Sequence, residues 1–313
     1  MENKEISTSL MVSFVSNPFL AVLYHRIYKR VWRDEIGEIL VHMNGLNDEA
    51  RDFIASLWEN DDKVRCIDNM PAEVRQGEAF NRMFPLARGK VLMTMDSDNF
   101  VYQKGIIKEY ADLVLSGKHD AVGSTGNHAH PSTIAKMLFL KYGVIRLNPY
   151  MSFWNMDVVR KIRNITFKTF VFSKGEKVDF LDQPMPIDGY MDVMTRFTAQ
   201  FMKLSGNYHE INTGEHYKRV HISALSSIYR RCYRGIENTK EQNYVETKHV
   251  IPLAYLAWDY LIYEATKNDV PLKKYKQEYF KAFKEEMKKT KVTLADVKEH
   301  AKEYLDFHGE LFK

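Results

Sequence analysis

Between Leu10 and Met95 four short apolar runs alternate with three stretches of helical spacing, and that alternation leaves few folds open. Leu10 to Val15 is strand-like and breaks at Ser16-Asn17-Pro18, which opens a helix with apolar residues from Phe19 to Val31. Glu38 to Met43 is a second strand that ends at Asn44-Gly45, a turn signal, and Asn47-Asp48 caps a helix running to Trp58. Lys63 to Ile67 is a third strand, Glu73 to Ala87 a third helix, and Lys90 to Met95 a fourth strand. Arg88-Gly89 stops the third helix in the manner of a C-terminal glycine cap. Strands that alternate with helices predict a mostly parallel sheet with helices on both faces. The pattern continues through a helix at Ile106 to Leu115 and a strand at Asp120 to Ser124.

From 125 to 225 the periodicity fades, and Pro131, Pro149, Pro184 and Pro186 predict loops and short strands that shape a pocket. Helical patterns return from about 237, at Val250 to Lys267, Lys273 to Lys289 and Leu294 to Phe312. The expected organisation is therefore an α/β domain over 1–235 and a helical extension over 236–313. The lysine-rich segment Lys273 to Lys289 is expected as an exposed charged face, and the extension as a surface for partners or homo-oligomers.

No apolar run is long enough to cross a bilayer, and Met1-Glu-Asn-Lys-Glu-Ile lacks the pattern of a signal peptide, so a cytoplasmic location is expected. Cys66 and Cys232 lie in no metal or CxxC spacing and are expected as ordinary thiols. The 45 Lys and Arg against 41 Asp and Glu leave a net charge of +4. That balance excludes a dedicated nucleic-acid binder and suits an anionic ligand.

Asp96-Ser97-Asp98 follows the fourth strand directly, at the carboxyl end where ligands bind in open α/β sheets. Two hard oxygen ligands there can hold a divalent cation whose other coordination sites go to phosphate oxygens. Such a cation neutralises the charge on a departing diphosphate. On the triplet alone, the competing reading is a loop whose aspartates cap the next helix.

The run Ala79-Phe-Asn81 through Ala87-Arg88-Gly89 to Asp96-Ser97-Asp98 resembles the nucleotide-sugar signature of family 2-type glycosyltransferases with the GT-A fold. That pattern is Ala-x-Asn, then Ala-x-Gly, an apolar strand and Asp-x-Asp. The resemblance extends to Ser13-Phe-Val15-Ser16-Asn17, in the place of the family's base-contacting loop, and to Asn44-Gly45-Leu-Asn-Asp48, in the place of its second-strand turn. It implies a GT-A fold, meaning a Rossmann-like, mostly parallel central sheet, here with a C-terminal helical appendage. It also implies a glycosyltransferase that binds a nucleotide-diphospho-sugar donor, UDP-sugar by default, with Mn²⁺ or Mg²⁺ as cofactor. Met43 stands where the family often has a base-contacting aspartate, so that contact falls to Asn44, Asn17 or the backbone.

By the same resemblance, Asp96 and Asp98 are metal ligands, and His221 in Val220-His221-Ile is the third, with His216 as competitor. Imidazole favours Mn²⁺ over Mg²⁺. Ser13, Val15, Ser16, Asn17, Asn44, Asn81, Asp96 and Ser97 are donor-binding candidates, with Arg75 and Gln76 at the start of the third helix. Lys218 and Arg219 are further candidates, as charge-assisted donors to the diphosphate. Phe153 to Ile162 resembles an acceptor-side segment, and Asp188-Gly-Tyr-Met-Asp192-Val-Met-Thr-Arg196 the acidic base motif. Either Asp188 or Asp192 is the base; Asp192 is preferred for its spacing to Arg196. The acceptor is a hydroxyl of a glycan, a small molecule or a modified DNA base. His128 and His130 are assigned to pocket walls rather than to a metal. The competing functions are a sugar-phosphate nucleotidyltransferase, which would want a Gly-rich basic first loop, and a scaffold on a degenerate GT-A fold.

Overall fold

A computed structural model describes residues 6–15, 17–44, 48–68, 74–125, 145–186, 188–211, 218–222 and 253–313. β1 (Thr8–Val15) is the apolar run of the sequence, and Leu10, Met11 and Val12 are wholly buried. α1 (Pro18–Ile27) begins where Asn17 Oδ1 accepts the Phe19 and Leu20 N–H groups at 3.0 and 3.2 Å, a side-chain N-cap followed by Pro at the first turn. A π-helical turn (Tyr28–Trp32) and a 3₁₀ turn (Arg33–Glu35) lead to β2 (Glu38–Asn44), and α2 (Asp48–Trp58) and β3 (Val64–Asp68) follow. α3 (Gln76–Met83) precedes β4 (Val91–Met95), which is completely buried. Then come β5 (Asn99–Val101), α4 (Ile106–Leu115) and β6 (Ala121–Thr125).

Two features of this half differ from the sequence reading. The third helix ends early, because Pro85 is tolerated only in a first turn, and Phe84–Leu86 forms a separate 3₁₀ turn. Gly89 is also no left-handed cap, since it is absent from the glycines of positive φ. Its role is close approach: a Cβ there would lie 2.6 Å from the Ser9 nitrogen, and the Gly89 N–H donates to Ser9 Oγ at 2.7 Å. The buried Glu38 carboxylate completes this corner by accepting from Ser9 Oγ (2.6 Å), Arg88 N (2.7 Å) and the guanidinium groups of Arg88 and Arg65 (2.8 Å each).

β7 (Leu147–Asn155) and the short α5 (Met156–Val159) come next, then β8 (Phe170–Phe172), β9 (Gly189–Met191), α6 (Thr195–Leu204), β10 (Tyr208–Glu210) and β11 (Arg219–His221). The main sheet has the order β10-β6-β7-β4-β1-β2-β3, with β7 antiparallel to both neighbours and every other pair parallel. β7 is a central strand in a region whose sequence suggested mainly loops, and α6 was equally unforeseen. Pro149 obscured β7, and it is accommodated because the pairing with β6 shifts register between Gly123 and Thr125. Phe153 and Trp154, read as acceptor-side, are fully buried on β7.

α7 (Leu253–Thr266), α8 (Lys273–Thr290) and α9 (Leu294–His308) close the chain near the three predicted spans. α9 opens with a capping box, in which Thr293 Oγ1 accepts the Asp296 N–H and Asp296 accepts the Thr293 N–H. The three helices share one apolar cluster with β1, α1 and β4. Phe19 of α1 meets Tyr263 of α7 and Tyr279 of α8 at 5.0 and 5.1 Å between ring centres, and those two tyrosines stack at 4.5 Å. Among the described residues no helix is long and apolar enough to cross a membrane.

Candidate active site

β4 is a core strand whose end emerges at the Asp96-Ser97-Asp98 turn. The turn is closed by the Asn99 N–H, which donates to the Asp96 carbonyl at 3.1 Å. It is tied to β7 by the Asp96 N–H, which donates to the Tyr150 carbonyl at 3.3 Å. The chain then enters β5, which pairs antiparallel with β11 in a two-stranded ribbon that sets Asn99 opposite His221. The Ile222 N–H donates to the Asp98 carbonyl at 3.1 Å and extends the ribbon by one rung. A local turn and one strand pair thus bring together residues more than 120 positions apart in the sequence.

His221 Nε2 lies 3.5 Å from Asp96 Oδ2 and 3.7 Å from Asp98 Oδ1, and the three candidate ligand atoms all fall within 4.8 Å of one another. These separations are long for hydrogen bonds. They resemble the ligand-to-ligand edges, about 3 to 4 Å, that surround a cation held by bonds of roughly 2.1 Å. Two carboxylates and an imidazole are a donor set that suits Mn²⁺ or a similar divalent ion. Asp98 is 4% exposed, so its carboxylate is held away from bulk water, where attraction to a cation is strong. Burial disfavours the charged imidazole of His221, but the neighbouring carboxylates of Asp96 and Asp98 outweigh it and raise its pKa.

The walls come from several elements. Gln76, the first residue of α3, donates through Nε2 to Asp96 Oδ1. Burial pushes the Tyr24 phenol of α1 up, and the Asp96 charge adds to it; burial and then Asp98 do the same for Tyr255 of α7. The first of the C-terminal helices, α7, therefore comes within electrostatic reach of the acidic turn. Arg219 holds its guanidinium 5.3 Å from the centre of the Tyr150 ring, and its Nη1 is buried without a hydrogen-bond partner among the described residues. Lys218 pairs with Glu310 at 3.1 Å, is about half exposed, and passes its carbonyl to the Tyr102 N–H at 3.0 Å.

The other sequence candidates take supporting positions. Ser13 Oγ stands 3.5 Å from His42 Nδ1, and Val15 pairs with Asn44 at the carboxyl edge of the sheet. Ser16 lies outside the described residues, as do His216, His128, His130 and Cys232. Asn17 uses Oδ1 to cap α1, and its buried Nδ2 finds no partner among the described residues. Asn44 exchanges two hydrogen bonds with the Val74 main chain, at 2.7 and 2.8 Å, and so anchors the segment leading to α3. Arg75 is exposed at the N-cap of α3, and Ser97 is buried within the turn. Asn81 accepts the Phe167 N–H at 2.9 Å and donates to Thr166 Oγ1 at 3.3 Å, which ties α3 to the chain before β8.

That tie reaches the base candidates. The Phe167 carbonyl accepts the Met194 N–H at 3.0 Å, two residues after Asp192. Asp192 accepts from Arg146 at 3.0 Å, and Asp188, at the other end of β9, accepts the Lys174 N–H at 2.8 Å. Arg196, the residue that set the preferred register, pairs with Asp179 at 3.2 Å rather than with either aspartate. Tyr150 escaped the sequence reading altogether. Its only signal was an aromatic residue in the run Pro149-Tyr150-Met151, which carries no distinguishing spacing.

Residues 10–163, which span the sheet from β1 through β7 and include the acidic turn, match the family model described as Glycosyl transferase family 2. No curated protein matches the sequence. Among solved structures, the mannosyltransferase PcManGT from Pyrobaculum calidifontis, in complex with GDP-Man and Mn²⁺, is 10% identical, with 99% of this chain and 86% of that chain covered at a TM-score of 0.45. S. aureus TarS 1-349 is 10% identical, with 96% and 92% covered at 0.46. With its mostly parallel seven-stranded sheet, its Asp-x-Asp turn and the match over 10–163, the chain carries in those residues a family 2-like glycosyltransferase region of the GT-A fold.

Proposed function

We propose that the chain transfers a sugar from a nucleotide-diphospho-sugar, UDP-sugar by default, to a hydroxyl acceptor with the help of a divalent cation. The observation that carries this reading is the convergence of Asp96, Asp98 and His221 at the carboxyl end of β4. A cation bound there would offset the negative charge that develops on the departing nucleoside diphosphate. Asp96, Asp98 and His221 hold it, with Mn²⁺ favoured over Mg²⁺ by the imidazole, while Gln76 occupies one oxygen of Asp96 and leaves the other toward His221. Arg219, with a buried donor that lacks a partner among the described residues, is suited to the diphosphate, and Lys218 stands beside it at the edge of the ribbon. Asn17, Asn44, Ser13, Val15 and Ser16 form the base end of the donor site, and Arg75, Gln76, Asn81 and Ser97 its α3 side.

In the transfer, the acceptor oxygen bonds to the anomeric carbon as the bond to the diphosphate breaks. Asp192, or Asp188 from the other end of β9, takes the hydroxyl proton. Residues 1–235 constitute the donor-binding and catalytic domain, and 236–313 the helical extension that backs it. A glycan or small-molecule hydroxyl is the acceptor class; nothing among the described residues adds to the DNA-base alternative.

The test is a thermal-shift panel of UDP, GDP, dTDP and CDP, each with and without Mn²⁺. Ligand at about a hundred times its Kd stabilises by roughly 2.7 kcal/mol, a shift of several degrees. A shift for one nucleotide that requires Mn²⁺ supports the reading and names the base. Cooperative melting with no shift for any nucleotide refutes it and favours a scaffold.

A further inference from the structure

We propose that Tyr150 is the positioning residue of the metal centre, an inference that rests on reading Asp96, Asp98 and His221 as metal ligands. Tyr150 sits on β7 and touches both Asp96 and His221 of that centre. Its carbonyl accepts the Asp96 N–H at 3.3 Å and Asn99 Nδ2 at 2.5 Å, and so grips both ends of the acidic turn. Its ring stacks on the His221 imidazole, 4.3 Å between centres and 23° between planes, and the same ring carries the Arg219 guanidinium. Its hydroxyl is fixed in turn, by Asn148 Nδ2 at 3.0 Å and by Ser124 Oγ, which donates to it.

The chemistry of ligand histidines explains why this stack matters. A metal-bound imidazole is normally oriented through its second nitrogen, which donates to a carboxylate, a carbonyl or water, and loss of that partner costs 10- to 100-fold in metal affinity. Among the described residues, His221 Nδ1 has no such partner; the contacts of its side chain are the two aspartates and the Tyr150 face. The Tyr150 ring therefore supplies by stacking the orientation that a hydrogen bond supplies elsewhere. The hydroxyl bonds to Ser124 on β6 and Asn148 on β7 add to a ring position that the Tyr150 backbone on β7 already sets.

The test measures Mn²⁺ binding to the full chain without nucleotide, by EPR titration, together with the ¹⁴N modulation that imidazole ligation gives in pulsed EPR. Wild type and His221→Ala bracket the result. Tyr150→Phe keeps the ring and stays within about threefold of wild type with its ¹⁴N signal intact. Tyr150→Leu keeps the backbone carbonyl but removes the ring; it loses about 10- to 100-fold in affinity and most of the ¹⁴N signal. Tyr150→Met, which fills similar volume without a ring, replaces it if Tyr150→Leu does not melt cooperatively. Wild-type affinity and full ¹⁴N modulation in the ringless variant, or equal losses in the Phe and Leu variants, overturn the positioning role. Wild type that binds no Mn²⁺ instead refutes the metal reading underneath it, an outcome visible before any Tyr150 variant is made.

Discussion

Gly77→Ala is expected to destabilise the protein even though it replaces glycine by the best helix former within a helix. Intrinsic propensity alone favours the alanine by about 0.5 to 1 kcal/mol. A Cβ on Gly77 would, however, lie 2.4 Å from the Phe167 carbonyl oxygen, 2.7 Å from the Lys168 Cα and 2.8 Å from the Phe167 carbonyl carbon, all of them backbone atoms. Relief requires a displacement of several tenths of an ångström between α3 and the 166–168 segment. That displacement strains two hydrogen bonds, Met194 N–H to Phe167 O (3.0 Å) and Phe167 N–H to Asn81 Oδ1 (2.9 Å), each worth about 1 kcal/mol. It also disturbs the wholly buried Phe167 ring, packed on Phe80, Phe84 and Phe197, where overpacking costs about 1–3 kcal/mol. The balance is a loss of about 2–4 kcal/mol, read in a urea melt as a lower midpoint at unchanged slope. Gly206→Ala is the control, because nothing lies within 4 Å of its Cβ, and it should stay within about 0.5 kcal/mol of wild type. A Gly77→Ala protein as stable as wild type, or more so, would refute the reasoning. Because Gln76 is the adjacent residue and donates to Asp96, the same substitution should also weaken Mn²⁺ binding.

Asp98→Asn should abolish sugar transfer while the melting temperature stays near that of wild type; retention of most activity in Mn²⁺-replete buffer would sink the proposed ligand role. Glu38→Gln should cost about 2 kcal/mol in a denaturant melt, since an amide facing Arg88 and Arg65 presents a donor to donors while its oxygen can still serve Ser9 and the Arg88 N–H. Burial of Glu38 opposes ionisation, but Ser9, the Arg88 N–H, the Arg88 guanidinium and Arg65 outweigh it and lower its pKa, so its stabilisation is present above the unfolded value of 4.5 and lost as pH falls below it. His25, packed edge-on against Trp58, acts at higher pH. Burial first and Lys29 second lower its pKa from 6.5 to about 4, against a smaller opposing effect of Asp61. The unfolded chain therefore binds the proton first, and stability falls as pH drops from 6.5 toward 4. His25→Phe should flatten that part of the melting-temperature profile, and an unchanged profile would show that His25 does not contribute.

The acidic turn and its strand were legible because their signals are local. A mostly apolar run of five residues, Val91 to Met95, followed directly by two carboxylates, places a ligand site at a strand end of an α/β sheet. β1 through β4, α1, α2, α4 and the three C-terminal helices were legible for the same reason, since their periodicity and caps lie within single windows of sequence. β7 was not, because Pro149 denies a central strand on local grounds and only the register shift against β6 makes room for it. His221 was named from its resemblance to a late ligand, but its place beside Asp96 and Asp98 depends on the β5–β11 ribbon, a pairing across more than a hundred residues.

Sequence alone determined the class of this protein: a parallel α/β sheet, a strand-end pair of aspartates and a family 2 signature, all of them carried by short-range patterns. Tertiary structure alone decided how the site is held together. Tyr150 behind His221 and Gly77 against Phe167 are contacts between distant segments, and no period, cap or motif within one segment encodes them. They arise because the side chains that fill the space around a sheet's carboxyl edge come from whichever elements the topology brings there.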